Sequence, residues 1–315
     1  MSVADEKPAV DAILQKVLEA VPFQLSTDIG VEEARRQFSE IPRMPVHPDV
    51  KTEDREVPGP AGPVPVRVYR PPTADGATLP VVVFIHGGGW ALGDLNSYDG
   101  TARQHAVAAD AVVVSVDYRL APEHPYPAAV DDVWAVTQWV AANAAELGVD
   151  ADRMAVAGDS AGGNLSAVVA QLARDAGAPP LRFQLLWYPA TTWDTSLPSF
   201  TENATAPILG LDAVAGFSRW YAGHVDLSDP PATLAPARAA DLSGLAPAYV
   251  AVAGHDPLRD DGIRYAEMLG AAGVPVQLDN AETLVHGYVG YVGVVPAATE
   301  AFDRAMAALR AALHG

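Results

Sequence analysis

The chain contains no cysteine. Disulfides, a thiolate nucleophile and cysteine-ligated metal are therefore excluded. Positive charge is scarce: 20 Lys and Arg stand against 39 Asp and Glu, a net charge of −19. A surface of that sign repels nucleic acid and anionic lipid, so neither is an expected partner. The charge speaks to solubility, with salt tolerance as the rival explanation. No apolar run approaches the ~20 residues that span a bilayer, so membrane insertion is not expected. The first residues, MSVADEKPAVDAILQKVLEA, carry acids and lack the apolar centre of a signal peptide. These features together predict a cytoplasmic protein. H-E-x-x-H, Walker A and G-x-G-x-x-G are missing as well, so no metal and no cofactor is implied.

What is present is a large apolar chain with a regular rhythm. Its 315 residues are 50% hydrophobic, enough for one elaborated domain or two. Residues 1–45 read as helix, turn, helix: KPAVDAILQKVLEA and GVEEARRQFSE. A Pro-rich stretch follows, with VPVRVYR as an alternating strand inside it. From Leu79 the chain alternates strand and helix. The strands are LPVVVFI, AVVVSVDY, RMAVAG, RFQLLWYP, PAYVAVAG and VPVQLDN. Helices lie between them, and a last one spans about Ala297 to Leu313. Apolar strands alternating with helices predict an α/β fold with a mostly parallel sheet covered on both faces. Residues 191–229 interrupt the rhythm with a helix, LDAVAGFSRWYAG, and no strand. Such an insertion sits over the carboxyl ends of the strands, where ligands bind in these folds. The expected organisation is a cap formed by 1–45 and 191–229, and a core formed by 46–190 and 230–315.

Gly158-Asp159-Ser160-Ala161-Gly162 fits G-x-S-x-G. With twelve serines in the chain, a chance match has a probability of about 0.06. Context gives the motif its meaning. It lies between the apolar RMAVAG and the helical AGGNLSAVVAQLARDAG, and a serine on a sharp strand-to-helix turn is exposed for attack. An activated serine needs a base and an acid that orients it, here in the chain order Ser, acid, His. Four of the eight histidines follow Ser160. His314 is penultimate. His224 and His255 leave little sheet in which an acid could sit. His286 remains, in the loop LVHGY after the last predicted strand. Asp256 ends the strand PAYVAVAG and is the preferred acid. It also reads as a helix N-cap before Pro257, and Asp260 and Asp261 are its rivals.

The FIHGGGW segment offers unshielded backbone amides. An N–H near Gly87 or Gly88 is the expected oxyanion donor from this loop and Ala161 N–H the other, with His86 a structural residue of the loop. Trp90, Asp159, Leu209, Phe217 and Val285 are the candidate pocket residues. Trp193 and Trp220 join the apolar set, and ordinary cap packing explains it equally well.

HGGGW, YRLAPEHPYPAA, GDSAGGN, DPLRD and VHGY, in this order, resemble the hormone-sensitive-lipase-like carboxylesterases of the α/β-hydrolase fold (bacterial family IV). The resemblance covers about residues 45 to 315. It implies the same triad, Ser160, Asp256 and His286, the oxyanion donors Gly87, Gly88 and Ala161, and a structural role for Tyr118 to Ala129. Members often carry Glu where Asp261 stands and Phe where Tyr288 stands. The function expected is a serine esterase for small, short- to medium-chain esters. Its partners would be a small-molecule substrate and, at most, a second copy in a homodimer. An amidase or deacetylase with the same triad is the alternative within enzymes. A non-catalytic ligand-binding pseudo-hydrolase is the alternative outside them, and the intact triad argues against it.

Overall fold

The computed structural model describes residues 7–74, 76 and 78–315. Eight strands form one sheet: β1 (Lys51–Gly59), β2 (Gly62–Arg70), β3 (Leu79–Ile85), β4 (Val112–Val116), β5 (Val149–Asp159), β6 (Leu181–Trp187), β7 (Ala248–His255) and β8 (Val276–Val285). Their order is β1-β2-β4-β3-β5-β6-β7-β8. The β1–β2 and β2–β4 pairs are antiparallel and all others are parallel. The six strands predicted from β3 onward are all present, and VPVRVYR lies in β2. The exception is β1, an edge strand reading KTEDREVPG, in which only Val57 is buried. Its polar face explains why no apolar alternation marked it.

Strand β3 shows how the core is built. All seven of its residues are buried. Val81, Val83 and Ile85 join one apolar cluster, and Val82 and Phe84 join another. Alternate residues thus face opposite sides of the sheet. On the first side pack α4 (Ala128–Ala142), α5 (Ala144–Leu147) and α6 (Ala161–Ala176). On the second pack α3 (Asp99–Ala109) and α10 (Pro296–His314). A third cluster seats α9 (Arg259–Ala271) against β7.

Residues 1–45 and 191–229, expected to form a cap, hold α1 (Ala12–Ala20), α2 (Val31–Ser39), α7 (Pro198–Glu202) and α8 (Leu211–Ala222). Helix α1 begins later than its sequence suggests, because Asp11 accepts from the Ile13 and Leu14 N–H groups and caps it there. Residues 1–6 of the N-terminal section lie outside the described residues. The two segments meet. Leu25 N–H donates to the Ile208 carbonyl, and a Cβ on Gly216 would stand 1.7 Å from Thr27 Oγ1. Helix α8 therefore lies directly against the α1–α2 turn. Among the described residues no helix is long and apolar enough to cross a membrane.

Candidate active site

The site is assembled at the carboxyl ends of the central strands. Ser160 sits between β5 and α6 with φ 55° and ψ −117°. That left-handed conformation is uncommon for a residue with a Cβ and stores strain. The flanking glycines make the turn feasible. A Cβ on Gly158 would approach the Gly162 carbonyl oxygen to 2.3 Å, and one on Gly162 would approach that of Ile85 to 1.9 Å. The Ser160 N–H, turned back toward β6, donates to the Trp187 carbonyl.

His286 follows β8, and its ring joins two partners. Nδ1 lies 2.7 Å from Asp256 Oδ2, and Nε2 lies 2.9 Å from Ser160 Oγ. In the neutral tautomer that fits both contacts, Nδ1–H donates to the carboxylate and Nε2 accepts from the hydroxyl. Asp256 is fully buried. Its other oxygen accepts from Leu258 N–H at 2.8 Å, so it also caps the turn into α9, which begins at Arg259. The N-cap of α9 is Leu258 and Pro257 lies outside the helix, so the N-cap reading of Asp256 does not hold; its carboxylate closes the turn before the helix instead. The loop carrying it is held from the 191–229 segment by Asn203, whose amide donates to the Asp256 carbonyl.

The rival acids are engaged elsewhere. Asp260 accepts from Ser199 N–H and pairs with Arg259. Asp261 accepts from the Thr191 and Thr192 N–H groups, and burial pushes its carboxyl up to about 6. His86 has its ring stacked 4.3 Å from Tyr118 and its Nδ1 2.8 Å from the Gly87 carbonyl. Burial lowers it to about 4, so it is neutral at pH 7. Tyr118 in turn donates to the His86 carbonyl. Arg119, in the same motif, pairs with the buried Asp132.

Two expectations are corrected. The Gly87 N–H donates to Asp159 Oδ1 at 2.8 Å, and Gly87 does not border the cavity above Ser160. Gly88, Gly89 and Ala161 do border it. Among the described residues the amides of Gly88 and Gly89 find no acceptor. Ala161 opens α6, where the first N–H groups have no partner within the helix. The second correction concerns Val285, which is fully buried in the core layer with Phe302 and lines no part of the cavity. Asp159, Trp90, Leu209 and Phe217 do line it.

The cavity has a volume of about 760 Å³. Sequence reasoning missed much of its wall. Val17, Val21, Leu25 and Phe38 come from the N-terminal segment, and Leu211 and Val214 come from α8. Trp90 is stacked between Trp193 at 5.5 Å and Tyr221 at 4.6 Å. Tyr188 lies 4.7 Å from the His286 ring. Amphipathic periodicity was the available signal for the helical residues, but it does not say what their apolar faces cover.

Comparison with known proteins places the chain in a family. The α/β-hydrolase fold model matches residues 82–290. The chain belongs to the α/β-hydrolase fold family. It is 64% identical to esterase LipI of Mycobacterium tuberculosis over 313 residues, 99% of this chain and 98% of that protein. It is 57% identical to carboxylesterase NlhH of the same organism, over 98% of each chain. The crystal structure of DphMB1 superposes with a TM-score of 0.94 at 71% identity, over 97% of this chain and 99% of that one. Similarity to named esterases thus extends over nearly the whole chain, and the protein is a carboxylic ester hydrolase.

Proposed function

We propose that this α/β-hydrolase cleaves small esters with short- to medium-chain acyl groups, through an acyl-enzyme on Ser160. The observation that carries the reading is His286, bridging Ser160 Oγ at 2.9 Å and Asp256 Oδ2 at 2.7 Å on the floor of the cavity. His286 Nε2 takes the hydroxyl proton as Oγ attacks the ester carbonyl. The N–H groups of Gly88, Gly89 and Ala161 receive the developing oxyanion. The imidazolium then returns its proton to the departing alcohol. Water attacks the acyl-enzyme with the same help, and the acid leaves. Asp256 fixes the tautomer and steadies the imidazolium.

Residues 1–45 and 191–229 act as the substrate cap in this reading. The support is that both contribute apolar wall to one cavity and meet at Leu25–Ile208 and Thr27–Gly216. Such a wall limits acyl length and excludes bulk water. We place the enzyme in the cytoplasm, whose reducing conditions suit a cysteine-free chain. A homodimer is the proposed assembly, read by light scattering. The test of the function is a panel of p-nitrophenyl esters graded from acetate to palmitate beside matched anilides. Turnover is expected to peak among the short and medium esters. A peak on palmitate, or anilides cleaved faster than esters, overturns the reading.

A further inference from the structure

The residue before Ser160 does more than complete the G-x-S-x-G motif. Asp159 is 7% exposed and both of its oxygens are engaged. Oδ1 accepts from Gly87 N–H at 2.8 Å, and Oδ2 accepts from the Tyr98 hydroxyl at 3.1 Å. The first contact ties the turn carrying Ser160 to the glycine loop after β3, across 72 residues of sequence. The fit is close on the other side too. A Cβ on Gly87 would stand 2.5 Å from Asp159 Oδ2 and 2.8 Å from the Asp159 carbonyl oxygen. Only a glycine lets the two strand ends approach this far.

Taking up the Gly87 N–H has a geometric consequence. It fixes the orientation of the His86–Gly87 peptide; Gly88 follows with φ 104° and Gly89 with φ 60°. Among the described residues the next two amides find no protein acceptor, and Gly88 and Gly89 border the cavity. Oxyanion donors stabilise a transition state only when they are held in place beforehand. We infer that Asp159 is a positioning residue: its carboxylate locks the glycine loop so that the Gly88 and Gly89 amides point at the oxyanion, with Tyr98 holding the carboxylate. The inference rests on the oxyanion reading above. Both Asp159 oxygens are taken up by Gly87 and Tyr98, whereas Ser160 Oγ and Asp256 are joined through His286.

The test separates positioning from folding. Active sites are counted by the p-nitrophenol released on inactivation with diethyl p-nitrophenyl phosphate. Per counted site, Asp159→Ala lowers kcat on p-nitrophenyl butyrate by about 10- to 100-fold, less than the 10²- to 10³-fold cost of deleting an oxyanion donor. KM stays within about threefold. Affinity for butaneboronic acid, whose Ser160 adduct is tetrahedral and carries the oxyanion oxygen, falls in parallel with kcat. Asp159→Asn restores most of the loss, because its amide oxygen accepts from Gly87 while its NH₂ donates to the Tyr98 oxygen. Tyr98→Phe causes a smaller fall in both readouts and decides the matter if Asp159→Ala does not fold. Unchanged kcat per counted site, or lost kcat with unchanged boronate affinity, overturns the inference. Wild-type turnover by Ser160→Ala would instead sink the reading beneath it.

Discussion

The strand ends and the cap are built by different rules. At the strand ends the acidic, imidazole and hydroxyl groups of Ser160, His286, Asp256 and Asp159 each have a defined partner. Ser160, His286 and Asp256 form one chain of contacts, and Asp159 ties the glycine loop to the nucleophile turn. The glycines there are fixed by steric need, since a Cβ at Gly158, Gly162 or Gly87 meets backbone or carboxylate oxygens. The cap wall is made instead from side chains such as Val17, Leu25, Phe38 and Val214, which need only be apolar and of suitable size. Chemistry tolerates little change in geometry, whereas a hydrophobic wall can be rearranged at modest cost. Substitutions at the strand ends should therefore act on kcat, and substitutions in the cap on selectivity.

The largest effect tests that contrast directly. Ser160→Ala is expected to keep its circular dichroism spectrum and lose about 10⁴-fold or more in kcat, the scale seen when a triad nucleophile is removed. Turnover of p-nitrophenyl butyrate near the wild-type rate would remove Ser160 from the chemistry. Asp256→Asn comes next. It leaves the packing nearly unchanged but deprives the imidazole of its orienting carboxylate, at about 10³- to 10⁴-fold in kcat. Asp260→Asn and Asp261→Asn should cost far less in kcat, because their carboxylates serve Ser199 and Arg259, or Thr191 and Thr192. A crippled Asp260 or Asp261 variant beside an active Asp256→Asn would reassign the acid.

How much of this was legible in the sequence follows the same division. Strands such as LPVVVFI stood out because both faces are buried. The edge strand β1 did not, because the residues that keep it soluble also hide its period. The candidate triad was reachable from chain order together with the strand ends before Ser160 and Asp256, although β8 runs on to Val285, beyond the strand expected before His286. Which two glycine amides face the cavity was not. The Gly87 N–H is taken up by Asp159 Oδ1, a contact between neighbouring strand ends that no local pattern encodes. Val285 was a similar miss. Being next to His286 in sequence does not place a side chain on the same side of the chain, and this one turns into the core.

A smaller effect separates stability from catalysis. Burial raises the Asp261 carboxyl from the ordinary aspartate range to about 6. A raised carboxyl favours the folded state while protonated. Its stabilising contribution is full below about pH 4 and is lost as pH rises toward 6. Asp261→Asn removes that titration. The wild type should exceed the variant in Tm most at pH 4, by a few degrees, and the gap should narrow by pH 7. Thermal unfolding across pH 4–7 measures it. A gap that widens with pH would mean that the ionised carboxylate is the form the fold prefers.

The smallest expected effect belongs to the cap, and it tests whether both segments act on substrate. Val17 of α1 and Val214 of α8 both line the cavity, are half-buried, and lie far from the triad in sequence. Replacing either with Phe adds volume to the wall without touching the strand ends. If both segments border the acyl group, Val17→Phe and Val214→Phe should each lower kcat/KM for the octanoate ester by about 3- to 10-fold relative to butyrate. That is the scale of one or two methylenes' worth of pocket. Butyrate turnover itself should stay within about twofold. If only Val214→Phe changes the ratio, the N-terminal helix borders a part of the cavity that the acyl chain does not reach, and the cap is the 191–229 insertion alone. If neither does, acyl length is limited nearer the nucleophile, by Trp90, Leu209 and Phe217, and the wider cavity above serves entry instead of selection.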